Sequence, residues 1–263
     1  MLDWNTPKLS DKEWIEKCVK ESQYIGSDAA FANIYLLRSK YNIKVTYYKD
    51  LLIRYYEGLG NRKGDTFPLG RKDVLSALYA IEQDAKEMNR PLEFCFVTEE
   101  QKEILENTFA GRTESSSDAG DYDYIYGQPE LSLLSGRTYH KKKNHVSKFK
   151  RTYEDYMFCE IGNGNLDDVM LIEDEWYYDR LQQDDTSAMK EYEAIREAVD
   201  NFEELSLSGG IIYANNVPVA MTIASYINDA AVDIHFEKAV GEYAVNGGFA
   251  AINQMYASTL KDV

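Results

Sequence analysis

Three strand-like segments follow one another closely late in the chain and limit its architecture more than any other feature. They cover residues 205–214, 218–227 and 231–238. Asn215-Asn216 predicts a tight turn between the first two, because asparagine tolerates positive φ. Connections this short join antiparallel neighbours. The sequence therefore predicts a β-meander, followed by a helix from about Gly247 to Leu260.

The first half of the chain has a similar order of elements. A strand pair at 43–48 and 51–56, joined by Lys49-Asp50, is typical of a hairpin, and a buried strand is predicted at 92–97. The helices predicted from apolar spacing and capping residues cover about 11–21, 28–41, 71–88, 98–109, 131–153 (interrupted near Gly136), 167–183 and 187–202. Residues 111–120, rich in Ser, Thr, Asp and Gly, are the best candidate in the chain for a linker between domains. This order predicts an α+β fold, although no residue-level repeat supports a duplication.

Composition excludes several classes of protein. The 263 residues carry a net charge of −16, so the surface as a whole does not suit a general nucleic-acid coat. The apolar runs fall short of the roughly 20 residues that span a bilayer, and the start of the chain lacks a secretory signal. Cys18, Cys95 and Cys159 are odd in number and far apart, without a CxxC spacing, which indicates reduced thiols. We therefore expect a cytoplasmic protein; no oligomeric state follows from the sequence.

The segment from Arg137 to Arg151 concentrates positive charge. It holds seven of the 29 basic residues, and no acid lies between Glu130 and Glu154. Such an island focuses an anionic ligand at one place, although a solvated helix face gives the same pattern. On a helical wheel, Lys142 falls in the same arc as the apolar side chains, and Lys143 lies just beside that arc. Since a lysine on a packed face needs an anion, we expect Lys142 to face a cleft.

The strand 231–238 places Asp233, His235 and Glu237 on one face, because side chains alternate along a strand. If the strand is central in its sheet, this polar row must be satisfied internally and can supply a general base near neutral pH. The alternative is an amphipathic strand with one wet face. The glycine turn Gly247-Gly248 then offers free N–H groups to a phosphate or carboxylate, or is only a turn.

Neither a zinc pattern, a metal site at recognisable spacing, nor a serine or cysteine nucleophile signature is visible in the sequence.

Several blocks resemble the soluble C-terminal-domain family of phosphatidylglycerol lysyltransferase. The most specific runs from Leu134 through Ser-Gly-Arg to Lys142-Lys143-Asn144-His145. The others are residues 67–70, 123–126, 208–210, 219–220, 235–239 and 251–254, with Phe149 and Tyr243.

This resemblance implies two tandem acetyltransferase-like (GNAT) folds with mixed, mainly antiparallel sheets flanked by helices, here at 1–115 and 116–263. It implies transfer of an amino acid from aminoacyl-tRNA to a lipid headgroup or other amine or hydroxyl. Its motifs include Glu237 and His235, which we expect to be catalytic, while the N–H groups of the glycine turn at Gly247 and Gly248 are expected to bind the donor. The substrate-binding residues it implies are Lys142, Lys143, Asn144, His145, Lys238, Tyr243, Asp123 and Tyr124.

Two departures from the family pattern leave alternatives open, as does the acetyl-CoA fingerprint of ordinary GNAT enzymes. Lys143 stands where the family usually has arginine, so it keeps the charge but cannot bind a phosphate in bidentate fashion. Family members also continue beyond the last helix, so the second domain is expected to lack its last strands. The acetyl-CoA fingerprint fails at Ala244 and Phe249.

Our first hypothesis is therefore an acyltransferase that binds tRNA through the basic helix 137–151, with aminoacyl-tRNA as co-substrate and no tightly bound cofactor. The alternatives are an acetyl-CoA-dependent N-acetyltransferase and a non-catalytic module that binds an anion or a lipid headgroup.

Overall fold

A computed structural model describes residues 1–58, 62–182 and 187–261. The chain divides into two compact units. The first comprises Met1–Tyr124 with Ile227–Asp229, and the second comprises Ile125–Tyr226 with Ala230–Val263. Both units are α+β, and each contains a four-stranded sheet flanked by helices.

The first unit contains four helices and four strands among its described residues. The helices are α1 (Lys12–Ser22), α2 (Phe31–Leu36), α3 (Leu75–Glu87) and α4 (Glu99–Thr108). The strands are β1 (Lys44–Tyr48), β2 (Leu51–Glu57), β3 (Lys63–Thr66) and β4 (Phe94–Cys95). The sheet order is β1-β2-β3-β4, antiparallel except for the parallel pair β3 and β4, so the sheet is mixed.

The hairpin predicted at Lys49-Asp50 is confirmed. Tyr48 pairs with Leu51, and both turn residues have positive φ, 51° and 65°. The capping box at the start of α4 is also confirmed, since Gln101 N donates to Thr98 Oγ1 and Thr98 N donates to Gln101 Oε1. The long helix predicted at 28–41 is wrong in extent. A short 3-10 turn at 27–29 precedes α2, because Ala30 between them has an extended backbone, with φ −57° and ψ 127°.

The core of the first unit contains a buried charge pair. Arg54 on β2 is 1% exposed, and its Nη1 lies 2.6 Å from Asp28 Oδ2. The same guanidinium donates to the backbone oxygen of Asp28. Since a buried charge needs a partner, this pair explains how an arginine is accommodated in the buried part of β2. The three cysteines are free thiols; Cys18 and Cys95 are buried, and Cys159 in the second unit is half-buried.

The second unit contains six helices and four strands among its described residues. The helices are α5 (Gln128–Leu133), α6 (His140–Thr152), α7 (Leu166–Leu181), α8 (Ala188–Asp200), α9 (Gly241–Val245) and α10 (Gly248–Ala257). The strands are β5 (Met157–Glu160), β6 (Ser208–Ala214), β7 (Val217–Asn228) and β8 (Ala231–Ala239). The predicted break near Gly136 is confirmed, since α5 ends before it and α6 begins after it.

The predicted meander forms the second sheet, in the order β5-β6-β7-β8. β5 and β7 both pair antiparallel with β6, and Asn215 and Asn216 turn with φ 52° and 61°. Within the described residues β8 is an edge strand, so the condition of a central strand is not met. Both of its faces are nevertheless covered, because α10 and α7 pack against it.

The last helix is preceded by an element that the sequence did not predict. α9 lies between β8 and α10, and Gly247, with φ 101°, separates the two helices. On one side of the sheet, α10 and α6 enclose a core of Phe149, Tyr153, Ile212, Val219, Ala220, Ala251, Ile252 and Met255. This packing brings α6, β8 and α10 together.

Candidate functional site

Lys142 lies on the packed side of the basic helix α6. It is half-buried while Lys141 and Lys143 are exposed, as the helical arc predicts. Its Nζ donates to Asn253 Oδ1 on α10 at 3.3 Å and lies 5.0 Å from the centre of the Tyr126 ring. An ammonium held between an amide oxygen and an aromatic face is pre-positioned for an anionic partner.

Glu237 on β8 completes this group. Asn253 Nδ2 donates to Glu237 Oε2 at 2.9 Å, so the same amide joins the lysine and the carboxylate. Burial raises the pKa of Glu237 above its usual range, while the Asn253 hydrogen bond and the charge of Lys142 act in the opposite direction. A carboxylate with a raised pKa is a stronger base, which suits proton removal from an acceptor.

His235 lies on the same face of β8 and is fully shielded from solvent. Its Nε2 lies 2.8 Å from Ser225 Oγ on β7, and its Nδ1 lies 2.8 Å from Asp233 Oδ2. The predicted row of Asp233, His235 and Glu237 is therefore held by contacts inside the second unit, and the alternative of an open wet face is wrong.

Lys238 faces the opposite side of β8. It is 5% exposed, donates to Glu191 on α8, and its Nζ lies 3.1 Å from the centre of the Trp176 ring on α7. Glu173 on α7 is fully buried in the same region. Within the described part of the chain, neither of its carboxylate oxygens makes a hydrogen bond. Because Lys238 already has a carboxylate partner, Glu173 is a surplus acid in this cluster.

Glu173 predicts a pH dependence of stability. Burial raises its pKa from 4.5 to about 7; the charge of Lys238 opposes this, and Glu191 and Asp174 reinforce it. The folded state thus holds a proton that the unfolded chain releases near pH 4.5. We expect this contribution to the free energy of unfolding, of order 3 kcal/mol, to be full below pH 4.5 and lost as pH rises to about 7.

Denaturant unfolding of wild type and Glu173→Gln between pH 4 and 8 measures this contribution. The difference in stability between the two proteins should move in favour of the variant as pH rises. Glu175→Gln, an exposed change on the same helix, should keep a constant difference from wild type. A constant difference for Glu173→Gln as well would contradict the assignment.

Gly247 and Gly248 are both buried, and packing explains each of them. A Cβ on Gly247 would overlap the carbonyl oxygen of His145 on α6. A Cβ on Gly248 would lie 2.8 Å from the carbonyl oxygen of Tyr243. These glycines let α6, α9 and α10 approach closely, and their role in donor binding stays a prediction.

The remaining residues expected to bind substrate occupy different surroundings. Lys143, Asn144 and His145 are exposed on α6. Tyr243 packs on the core, with its ring centre 4.7 Å from that of Tyr153. In the first unit, Asp123 accepts hydrogen bonds from the backbone N–H and the hydroxyl of Ser27, at 2.9 and 2.8 Å. Tyr124 is 85% exposed.

Three residues of the group were not predicted as site residues: Asn253, Ser225 and Tyr126. Asn253 lies in the block 251–254 that resembles the family, and it is a polar residue in a mainly apolar helix; these were the signals that the sequence offered. Ser225 lies in a strand of buried residues and could be found only from the pairing of β7 with β8.

Two negative findings bear on the site. Within residues 1–58, 62–182 and 187–261, no three His, Cys, Asp or Glu side chains are grouped so as to hold a metal ion. Over the same ranges, no helix combines the length and apolar character needed to cross a bilayer.

Comparison with known proteins identifies the family. The sequence profile of the family described as phosphatidylglycerol lysyltransferase, C-terminal, matches residues 20–263. The chain belongs to this family. No curated protein matches it.

Solved structures are similar to this lysyltransferase-family chain. A conserved protein of unknown function from Bacteroides thetaiotaomicron has a TM-score of 0.88 at 27% identity, over 100% of this chain and 88% of that one. The C-terminal domain of a candidate lysylphosphatidylglycerol synthetase from Agrobacterium fabrum has a TM-score of 0.56 at 11% identity, over 96% and 76%. The second likeness concerns the fold alone.

Proposed function

We propose that this protein is an acyltransferase of the GNAT superfamily that moves an aminoacyl group from aminoacyl-tRNA to an amine or hydroxyl, such as that of a lipid headgroup. The observation that carries the proposal is Glu237, a half-buried carboxyl with a raised pKa, held by Asn253 and close to the charge of Lys142. The family, named for lysyl transfer, supports the reaction class.

The chemistry needs a base and an orienting charge. Glu237 takes the proton from the attacking amine or hydroxyl, which adds to the ester carbonyl of the donor. The bond from the carbonyl carbon to the ribose oxygen of the tRNA then breaks, and Glu237 returns the proton to that oxygen. Lys142 holds a phosphate of the donor or the anionic headgroup of the acceptor. Acyl transfer from an activated ester depends mainly on positioning and modest base catalysis, both of which this group can provide.

Each unit has a four-stranded sheet flanked by helices, which supports two tandem acetyltransferase-like domains, while the boundary between 1–115 and 116–263 stays a prediction. The exposed cations of α6 support tRNA as the donor. Lys141, Lys143, Lys148, Lys150 and Arg151 are all exposed on a helix that contains no acid. On a chain of net charge −16, this helix is a distinct anion-binding surface.

Salt-dependent tRNA binding tests the donor. We expect labelled tRNA to bind wild type with an affinity that falls as salt rises. In the double variant Lys142→Ala, Lys143→Ala, the dissociation constant should rise. The slope of log K against log salt should shrink by about 1 for each phosphate that the variant no longer binds. The matched control is Lys86→Ala, Lys102→Ala, which removes two charges from helices of the first unit.

An equal loss of binding in the control pair would assign the effect to net charge rather than to α6. Absence of tRNA binding to wild type would contradict the donor assignment. A thermal shift with acetyl-CoA would then indicate an N-acetyltransferase, and headgroup binding without turnover would indicate a non-catalytic module.

A further inference from the structure

Asn253 on α10 makes two hydrogen bonds that allow its side-chain amide one orientation. The ammonium of Lys142 can only donate, and its Nζ lies 3.3 Å from Asn253 Oδ1. The ionised carboxylate of Glu237 can only accept, and its Oε2 lies 2.9 Å from Asn253 Nδ2. A flipped amide would turn its N–H groups to the ammonium and its oxygen to the carboxylate, so both bonds would be lost. The two charged neighbours therefore fix the amide.

Both charged neighbours keep hydrogen-bonding capacity for a substrate. Within the described part of the chain, Glu237 accepts its hydrogen bond from Asn253 through Oε2, which leaves Oε1 available. Lys142 has three donor hydrogens and gives one of them to Asn253. All three side chains are half-buried, so the group is open to solvent in part. The amide itself carries neither a charge nor a titrating proton, so its contribution is to hold its two neighbours.

We propose that Asn253 is a positioning residue for acyl transfer: it holds Glu237 by Oε2, so that Oε1 is the atom that takes the proton of the acceptor, and it holds Lys142 beside that carboxylate. Oε1 receives the proton of the attacking amine or hydroxyl and returns it to the ribose oxygen that leaves. Asn253 gains and loses nothing in the cycle. A base that is already oriented does not have to be ordered in the transition state, which favours the reaction.

Two substitutions separate the two contacts of the amide. Asn253→Asp keeps an oxygen for Lys142 but replaces the N–H donor with a second carboxylate beside Glu237. Asn253→Leu has the same branching and removes both contacts. The hydrogen bond from Asn253 lowers the pKa of Glu237 against the effect of burial. Both substitutions should therefore raise that pKa, and the like charge in Asn253→Asp should raise it further.

The experiment is single-turnover transfer from labelled aminoacyl-tRNA by the full chain between pH 5 and 8.5, with rates expressed per folded protein. We expect the rising limb of the rate to move to higher pH in the order wild type, Asn253→Leu, Asn253→Asp. On the plateau above the limb, Glu237 is ionised in every protein, so a lower rate there reports orientation rather than charge. We expect plateau rates about tenfold to a hundredfold below wild type in both variants.

The matched control is Gln254→Leu, the neighbouring position on the same helix. Gln254 Nε2 donates to the backbone oxygen of Ser132 and to Ser258 Oγ, so its bonds tie α10 to α5 and to its own end. This variant should lose those bonds and keep both the limb and the plateau of wild type. A wild-type limb in Asn253→Asp, or a wild-type plateau in both Asn253 variants, would overturn the proposal.

The identity of the reaction rests on the proposed function, whereas the contacts of Asn253 do not. Carbon-13 titration of the Glu237 carboxyl, assigned by its loss in Glu237→Gln, follows those contacts without any transfer. Titrations that shift in the expected order while wild type transfers nothing would reject the function and retain the hold of Asn253 on Glu237. Transfer by wild type with the same Glu237 titration in all three proteins would retain the function and reject the role of Asn253.

Discussion

Glu237→Gln should lower the rate of aminoacyl transfer by about 10²–10⁴-fold, the usual contribution of a positioned general base. The amide oxygen of the glutamine can still accept the hydrogen bond from Asn253 Nδ2, so the packing of β8 against α10 should survive. The lower rate would then reflect the loss of a group that accepts a proton. The measurement is single-turnover transfer from labelled aminoacyl-tRNA to a lipid or amine acceptor.

The pH profile separates a base from a structural residue. Because burial raises the pKa of Glu237, the wild-type rate should rise with pH through a pKa above the usual range of a glutamate and then level off. That limb should vanish in Glu237→Gln. Glu193→Gln, an exposed change on α8, should keep both the rate and the profile. An unchanged rate in Glu237→Gln would remove Glu237 from the mechanism.

Gly247→Ala should strongly destabilise the second unit, although it adds only one methyl group. The new Cβ would overlap the carbonyl oxygen of His145, which belongs to the backbone of α6 and cannot rotate away. Gly247 also has φ 101°, a conformation that alanine adopts only under strain. We expect a loss of about 3 kcal/mol or more in the free energy of unfolding.

Denaturant unfolding measures this loss, with Gly162→Ala as the matched control. A Cβ on Gly162 has no neighbour within 4 Å, so that change should cost less than about 1 kcal/mol. If Gly247→Ala is equally mild, α6 and α10 do not pack as described. If it is destabilised while tRNA binding by the folded fraction is intact, the glycine is needed for packing alone.

The regular spacing of side chains along strands and helices predicted much of the site. Alternation along β8 placed Asp233, His235 and Glu237 on one face, and helical spacing placed Lys142 on the packed side of α6. Both follow from local geometry, which a single segment contains. The tight turns at Lys49-Asp50 and Asn215-Asn216 were equally local, because their residues tolerate positive φ.

Features that depend on distant segments could not be predicted. Asn253 becomes part of the group only when α10 packs on β8, and Ser225 meets His235 only through the pairing of two strands. β3 has the sequence Lys-Gly-Asp-Thr, without apolar alternation, and is a strand because β2 and β4 pair with it.

Both faces of β8 are covered, so the charge that each face presents depends on which alternate residues point to it. Glu237 faces Asn253, and the next residue, Lys238, faces Trp176 and Glu191. A shift of one residue exchanges the two faces of a strand. A single insertion or deletion within residues 231–236 would thus bring an ammonium to Asn253 and a carboxylate to the acidic cluster of α7 and α8. Insertions and deletions in β8 should therefore be tolerated far less well than substitutions at the same positions.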